Sequence, residues 1–209
     1  MVKFKEKLMH GVFFVCAMAS ILAVLLICWF LFSNGLPAMA KIGVFDFLFG
    51  IDWSPTNVPP SFGIFPMILG SIYVTAGALL FGVPIGIFSA VYMAKFCPKK
   101  LYRVLKPAVE LLAGIPSVVY GFFGMIILVP LVRELFGGDG NSILTASILL
   151  GIMILPTIIS VSESALRAVP ESYYEGSLAL GATHERSVFF TIVPAAKSAI
   201  FAAVILGIG

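Results

Sequence analysis

The segment YYEGSLALGATHERSVFFTIVP, Tyr173 to Pro194, is a half-polar, patterned stretch in a chain that is otherwise very apolar. Pro170 at a first-turn position, with Glu171 behind it, starts a helix. Tyr174 and Leu178, one turn apart, give that helix an apolar stripe. Gly181 fits the left-handed residue that closes a helix, and Thr183 can cap a second one supported by Glu185 in its first turn. Pro194 marks where the chain turns back. The pattern predicts two short helices joined by a tight turn. Such a pair raises nucleic-acid binding as a function, but the charge is wrong. Residues 163–197 carry Arg167, Arg186 and Lys197 against Glu163, Glu171, Glu175 and Glu185, three minus four, a net −1. Phosphate backbones select the opposite sign, so no nucleic-acid partner is expected.

The flanking sequence says what surrounds this segment. Of 209 residues, 60% are hydrophobic and 11% charged, against about 25% charged in a soluble domain. Lipid is the solvent that such a chain fits. Gly11 to Phe32 carries no charge and is long enough to cross a ~30 Å hydrocarbon core. It exceeds the about 7–15 apolar residues of a signal peptide, so we read it as an uncleaved anchor in spite of the "AMA" at Ala38 to Ala40. Ala38, Ile42, Phe45 and Phe49 recur at helical spacing and suggest a short helix on the membrane surface with Trp53 at headgroup depth; an ordinary loop is the alternative.

Gly63 to Ala94 is a second charge-free span, interrupted by Pro84. KFCPKKLYRVLK (Lys95 to Lys106) follows with five cations, and Pro107 suits the first turn of a third span running to about Leu131. A polar hairpin holds Arg133, Glu134, Asp139 and Asn141. A fourth span runs from about Ser142 to Ser162, with Pro156 inside it. The twelve residues after Lys197 reach roughly 18 Å as helix, short of a crossing, so the sequence is expected to be C-terminally truncated. The fold expected is all-α, a polytopic transmembrane bundle. Residues 1–62 form an anchor and extracytoplasmic loop, and residues 63–209 an incomplete core with a water-exposed loop at 163–197.

Charge asymmetry sets the orientation. With the N-terminus in the cytoplasm, Lys3, Lys5, Lys7, Lys95, Lys99, Lys100, Arg103, Lys106, Arg167, Arg186 and Lys197 are inside, and Lys41 and Arg133 outside, eleven against two. No G-x-x-x-x-G-K-[ST] loop is present, so the chain is not expected to bind a nucleotide. Cys16, Cys28 and Cys97 lack metal-site spacing and read as apolar fillers. His10 and His184 sit at membrane edges without obvious partners, and no catalytic constellation or metal site is found; the chain is not expected to be an enzyme. Glu110 is a possible intramembrane polar site. In the first turn after Pro107, with Lys106 or Arg103 near, it is expected to be structural, or else to position a cation in transport.

Glu175, Gly181 six residues on, and "IVP" ending at Pro194 resemble the EAA loop of ABC-importer permeases. The two alanines of that motif are here Gly176 and Ser177, its isoleucine Thr191 and its last leucine Val193. ELLAGIPSVVYGFFG (Glu110 to Gly124) and the span from Phe62 to Phe96 are similar to phosphate-specific transport permeases of the PstC type, with the MetI-like fold. That resemblance implies a bacterial plasma-membrane permease paired with a PstA-type subunit. It would be powered by an ATPase dimer of the PstB type, which uses the ATP, and fed phosphate by an extracytoplasmic PstS-type binding protein. Glu175, Gly181, Pro194, Tyr174 and Leu178 would form the ATPase-coupling loop, and no cofactor would be held by this chain. Members of the family continue with Arg-Ala-x-Gly-Glu, whose arginine is the candidate to meet phosphate. A permease for molybdate or sulfate, or a secondary transporter without an ATPase, is the alternative. Two further features agree with a transporter. Pro84, Pro116, Pro130 and Pro156 would weaken helices within the membrane, and Gly82, Gly86, Gly121 and Gly124 would permit close helix contact.

Overall fold

A computed structural model describes residues 2–209, with side chains from Glu6 onward; the side chains of Lys3 and Lys5 lie outside the described residues. The chain divides into two compact units, Met1–Leu69 and Gly70–Gly209. In the first, helix α1 runs Val2–Ile42. Its apolar middle is exposed along its length, as expected of a helix whose solvent is hydrocarbon. The expected surface helix is not formed as one piece. Ala38 and Ile42 finish α1, and Gly43, at φ 95°, separates them from α2 (Val44–Phe49). Only glycine takes that backbone readily, so the helix axis is reset there. Phe45 and Phe49 do share a face of α2, their rings stacked at 6.3 Å. An antiparallel ribbon of β1 (Trp53–Ser54) and β2 (Ser61–Phe62) follows, with Trp53 paired to Phe62 and edge-on to its ring at 6.0 Å. No alternation of apolar and polar residues announces these strands.

Helix α3 (Phe65–Val91) continues through a wide turn at Tyr92–Phe96. The expected third span from Pro107 is corrected. Amphipathic α4 (Lys99–Ala113) contains Pro107 in its interior, and the chain breaks at Gly114–Pro116 before α5 (Ser117–Phe123). Ile115 precedes Pro116, whose ring disfavours the α conformation at Ile115. A second wide turn (Gly124–Leu128) joins α5 to α6 (Val129–Phe136). Helix α7 is Ile143–Ala168, so the first six residues of the expected loop at 163–197 belong to the span instead. Then come α8 (Glu171–Ala179), α9 (His184–Ser187), a third wide turn (Val188–Ile192), α10 (Val193–Ala195) and α11 (Lys197–Ile208). Four helical stretches among the described residues are long and apolar enough to cross a membrane. His184–Ala195 with Lys197–Ile208, bent by 68°, is a fifth candidate.

Each wide turn ends two residues before a proline: Phe96 before Pro98, Leu128 before Pro130, Ile192 before Pro194. The residue preceding each proline bonds five residues back, Cys97 to Tyr92, Val129 to Gly124 and Val193 to Val188. A proline has no N–H and its ring crowds the carbonyl four residues earlier. At Pro130 and Pro194, where the helix continues, those carbonyls are on Ile126 and Phe190 and fall inside the wide turns, where the extra residue makes room; at Pro98 the chain instead leaves the helix at Cys97, which is extended.

In the second unit α7 packs against α4 and α11, and against α3 through Gly82, Gly86 and the bond from Ser147 to Val74 O. A methyl group on Gly86 would lie 2.7 Å from Ile158 Cγ2, one on Gly82 2.7 Å from Ile154 Cδ1, and one on Gly124 2.8 Å from Leu149 Cδ2. Three of the four glycines expected to mediate close contact therefore do so, whereas a methyl on Gly121 meets nothing within 4 Å. One core cluster joins Ala90, Val91, Leu166, Val169, Val188, Ile192, Ala196 and Ile200, fastening α3, α7, the arm after α9 and α11 together. Gly86→Ala should lower stability by about 1–3 kcal/mol, the usual cost of overpacking, while Gly121→Ala changes it little. Unfolding titrations in detergent micelles read this directly, and equal midpoints for the two variants would contradict the packing described.

Candidate functional site

The segment from Glu171 to Ala195 is a helical hairpin, and its turn is built from local backbone bonds. Gly181 N–H donates to Leu178 O at 2.9 Å and Ala182 N–H to Ser177 O at 3.2 Å. With Gly181 at φ 85°, this is the two-bond closure that needs a left-handed residue after the helix. Thr183 then caps α9, its hydroxyl accepting from Arg186 N–H at 3.4 Å. Pro170 is the residue before α8 rather than a residue of its first turn.

Two side-chain systems hold the arms together. Ser177 donates to Ser187 Oγ at 2.9 Å, Ser187 donates to Thr183 O at 2.9 Å, and Thr191 donates to Ser177 at 3.4 Å. Tyr174 Oη is 2.7 Å from His184 Nδ1, and the imidazole sits edge-on to Phe96 with ring centres 4.8 Å apart. His184 therefore has partners, contrary to expectation; they come from α8 and from the turn after α3. Ser177 and Thr191, two positions where the sequence departs from the EAA pattern, are bonded to each other across the hairpin.

Beneath the hairpin is a charged cluster that sequence reasoning missed. Glu163, on the last turns of α7, has a side chain only 2% exposed. Lys106 Nζ donates to its Oε2 at 2.8 Å, Tyr102 Oη donates to Oε1 at 3.0 Å, and Arg167 also donates to Oε1. Arg167 reaches further, to Met93 O at 2.9 Å, and its guanidinium lies 4.4 Å from the centre of the Tyr102 ring. One carboxylate thus ties α4, the wide turn after α3 and α7 together. The hydrogen bond to Glu163 raises the Lys106 pKa against some loss of solvent. Burial first, then the bond to Glu163, raises that of Tyr102. A signal did exist in the sequence: Glu163 and Arg167 are spaced i, i+4 at the end of an apolar span, where a carboxylate needs partners.

The other expected site residues divide by exposure. Tyr174 is half-buried against the core cluster, so that end of the expected stripe is covered by the chain itself. Glu175 is exposed, Leu178 is 39% exposed and Leu180, at the turn, 91% exposed. Pro194 follows the third wide turn, and the chain bends after it at Ala196. Glu110 is not in a first turn: it lies in the later half of α4, 61% exposed and 3.9 Å from Lys106.

The helical hairpin thus follows one candidate membrane span, α7, and leads into the bent pair that is another. Residues 82–209 match the family of binding-protein-dependent transport system inner membrane components, and the chain belongs to that family. It is 43% identical over 195 residues to the probable ABC transporter permease protein YqgH of Bacillus subtilis, covering 92% of this chain and 63% of that one. Over 199 residues it is 33% identical to the phosphate transport system permease protein PstC of Mesorhizobium japonicum, covering 86% and 60%. Among solved structures, a chain of the inward-facing MetNI methionine ABC transporter aligns at 21% identity and TM-score 0.49, covering 70% of this chain and 68% of that one. The chain spans about three-fifths of the length of the curated relatives it matches. The expected all-α, multi-span permease architecture of the MetI-like family stands.

Glu163→Gln leaves Arg167 without an anion and Lys106 with only the exposed Glu110, 3.9 Å away. Breaking a fully buried pair costs about 3–5 kcal/mol; Lys106 and Arg167 remain 24% and 45% exposed, so a loss on the order of 2 kcal/mol is expected. Unfolding in micelles measures it, and an unchanged midpoint would contradict the role given to the cluster. The Lys106 contribution has a defined pH window. Its folded pKa is raised, so the stabilisation is full below the ordinary lysine value of 10.5 and is lost as pH rises through the higher folded value. Between pH 6 and 9 the Lys106 contribution should be constant, and a decline across that range that disappears in Lys106→Met would be against it.

Proposed function

We propose that this chain is the permease subunit of an ATP-driven phosphate importer in a bacterial inner membrane, its N-terminus in the cytoplasm. It would form the translocation path with a second permease of the PstA type and be coupled to an ATPase dimer of the PstB type. An extracytoplasmic PstS-type protein would deliver phosphate. Family membership and the phosphate-transport relatives support the class and the solute. The observation that carries the coupling role is the contrast within the hairpin. Its base is fixed by the buried residues Val188 and Ile192, while Leu180 at its turn is exposed, as is Glu175 on α8. An apolar tip on a rigid base is a surface that another protein would cover.

On this reading Glu175, Leu178, Gly181 and the outer face of α8 engage the ATPase, Tyr174 joins the hairpin to the body of the permease, and Pro194 sets the point from which α11 departs. ATP-driven closure of the ATPase dimer would pull the hairpin, and α7 and α11, packed along each other, would move with it. On this reading the ATP chemistry belongs to the partner ATPase, in keeping with the lack of a G-x-x-x-x-G-K-[ST] loop in this sequence. Glu110 is assigned a structural role beside Lys106.

A methyl at Gly181 meets nothing within 4 Å, so a substitution there costs only the backbone term, about 1–2 kcal/mol for a left-handed residue. In the full-length protein within the assembled transporter, Gly181→Asp should abolish uptake of radiolabelled phosphate while membrane insertion persists, because a charged side chain is added to the docking tip. Normal uptake by that variant would contradict the coupling role.

A further inference from the structure

We propose that α4 is an interfacial helix whose outward side docks on an anionic lipid surface. One side of α4 is spent inside the protein: Tyr102, Lys106 and Val109 face α7 and the turn after α3. Another carries Leu101, Val104, Ala108 and Leu111, spaced i, i+3, i+7 and i+10, which places them in one stripe. Nothing in the chain covers it: Leu101 is 41% exposed, Val104 66% and Leu111 74%. Lys100 borders the stripe, and Arg103 and Lys99 lie further round the helix on its polar side, all three exposed and without an ion pair among the described residues. Glu110 shares this polar side, but it is drawn toward Lys106.

An exposed apolar stripe bordered by unpaired cations, on a short helix directly after a membrane span, fits the headgroup region of a bilayer. Acyl chains take the stripe, and anionic headgroups supply the countercharge that the protein withholds. A groove on a second protein would have to bring both an apolar trough and matched carboxylates. The Glu163 cluster gives the docking a consequence. Through Tyr102 and Lys106, α4 is anchored to the end of α7 on which the hairpin sits. The lipid contact does not depend on which solute is carried, so it stands or falls separately from phosphate transport.

The test places a tryptophan on the stripe by Val104→Trp in a Trp29→Phe, Trp53→Phe background, with Leu111→Trp as a second reporter. The full chain is reconstituted in vesicles of phosphatidylcholine and phosphatidylglycerol, with one or the other lipid brominated. Brominated chains should quench both reporters, with phosphatidylglycerol preferred on the order of a hundredfold. Lys99→Gln, Lys100→Gln and Arg103→Gln together should bring that preference close to unity, at about fivefold per cation, while the corresponding lysine-to-arginine changes at Lys99 and Lys100 keep it. Circular dichroism and gel filtration confirm that the variants fold. Equal quenching by the two lipids would overturn the anionic preference. No quenching with an aqueous-quencher-resistant emission would mean that protein covers the stripe, and would overturn the lipid assignment. Loss of the preference in millimolar inorganic phosphate, but not in chloride of equal ionic strength, would assign the cations to a free anion and also overturn it.

Discussion

A carboxylate withdrawn from solvent must find its donors within the protein, and Glu163 draws them from α4 and from its own helix. Lys106, Tyr102 and Arg167 converge on its two oxygens, and Arg167 passes the connection on to the backbone of Met93. Such a cluster is poor evidence of net stability, since desolvation offsets much of the attraction. Its consequence is position. It fixes where α4 and the end of α3 meet α7, at the end of α7 where the apolar residues Leu166 and Val169 join Val188 and Ile192 of the hairpin. The hairpin therefore stands on a joint with a polar side and an apolar side.

Away from that joint the chain is held mostly by close approach of backbones. Lipid tails are as apolar as leucine, so helices in a membrane gain little by hiding apolar surface from them. Gly82 and Gly86 on α3 and Gly151 on α7 let those two helices approach until side chains touch main chain, where dispersion is strongest. The large exposed residues of α1, α3 and α5 are not defects in this setting. They face a solvent in which they are at home.

What was legible in the sequence follows the range of the interaction. The turn at Gly181 and the cap at Thr183 are satisfied within five residues, so the residue types alone announced them. The first, second and fourth apolar spans were legible from length, the third only in part. The break at Pro116 was readable from the residue before a proline, yet Pro107 drew attention first, because a proline inside an amphipathic helix looks like a helix start. Two of the wide turns are a consequence of Pro130 and Pro194 that depends on the helix continuing to each proline, which propensity alone does not decide; the other closes α3 ahead of Pro98. The bond between Glu163 and Lys106 joins residues 57 apart, and counting charges by segment hid it. Ser177 and Thr191 looked like imperfect matches to a motif, and only their position across the hairpin explains why they occur together. The ribbon at Trp53 and Phe62 is two residues per strand, too short for any periodicity to show.

The central claim is that the hairpin tip is the face a cytoplasmic ATPase grips. It is tested most directly by a cysteine at Leu180 in a background lacking Cys16, Cys28 and Cys97, probed with a membrane-impermeant thiol reagent. The account predicts labelling in inverted vesicles but not in intact cells, with labelling suppressed when the ATPase is bound. Labelling from outside intact cells would put the tip in the wrong compartment and contradict it.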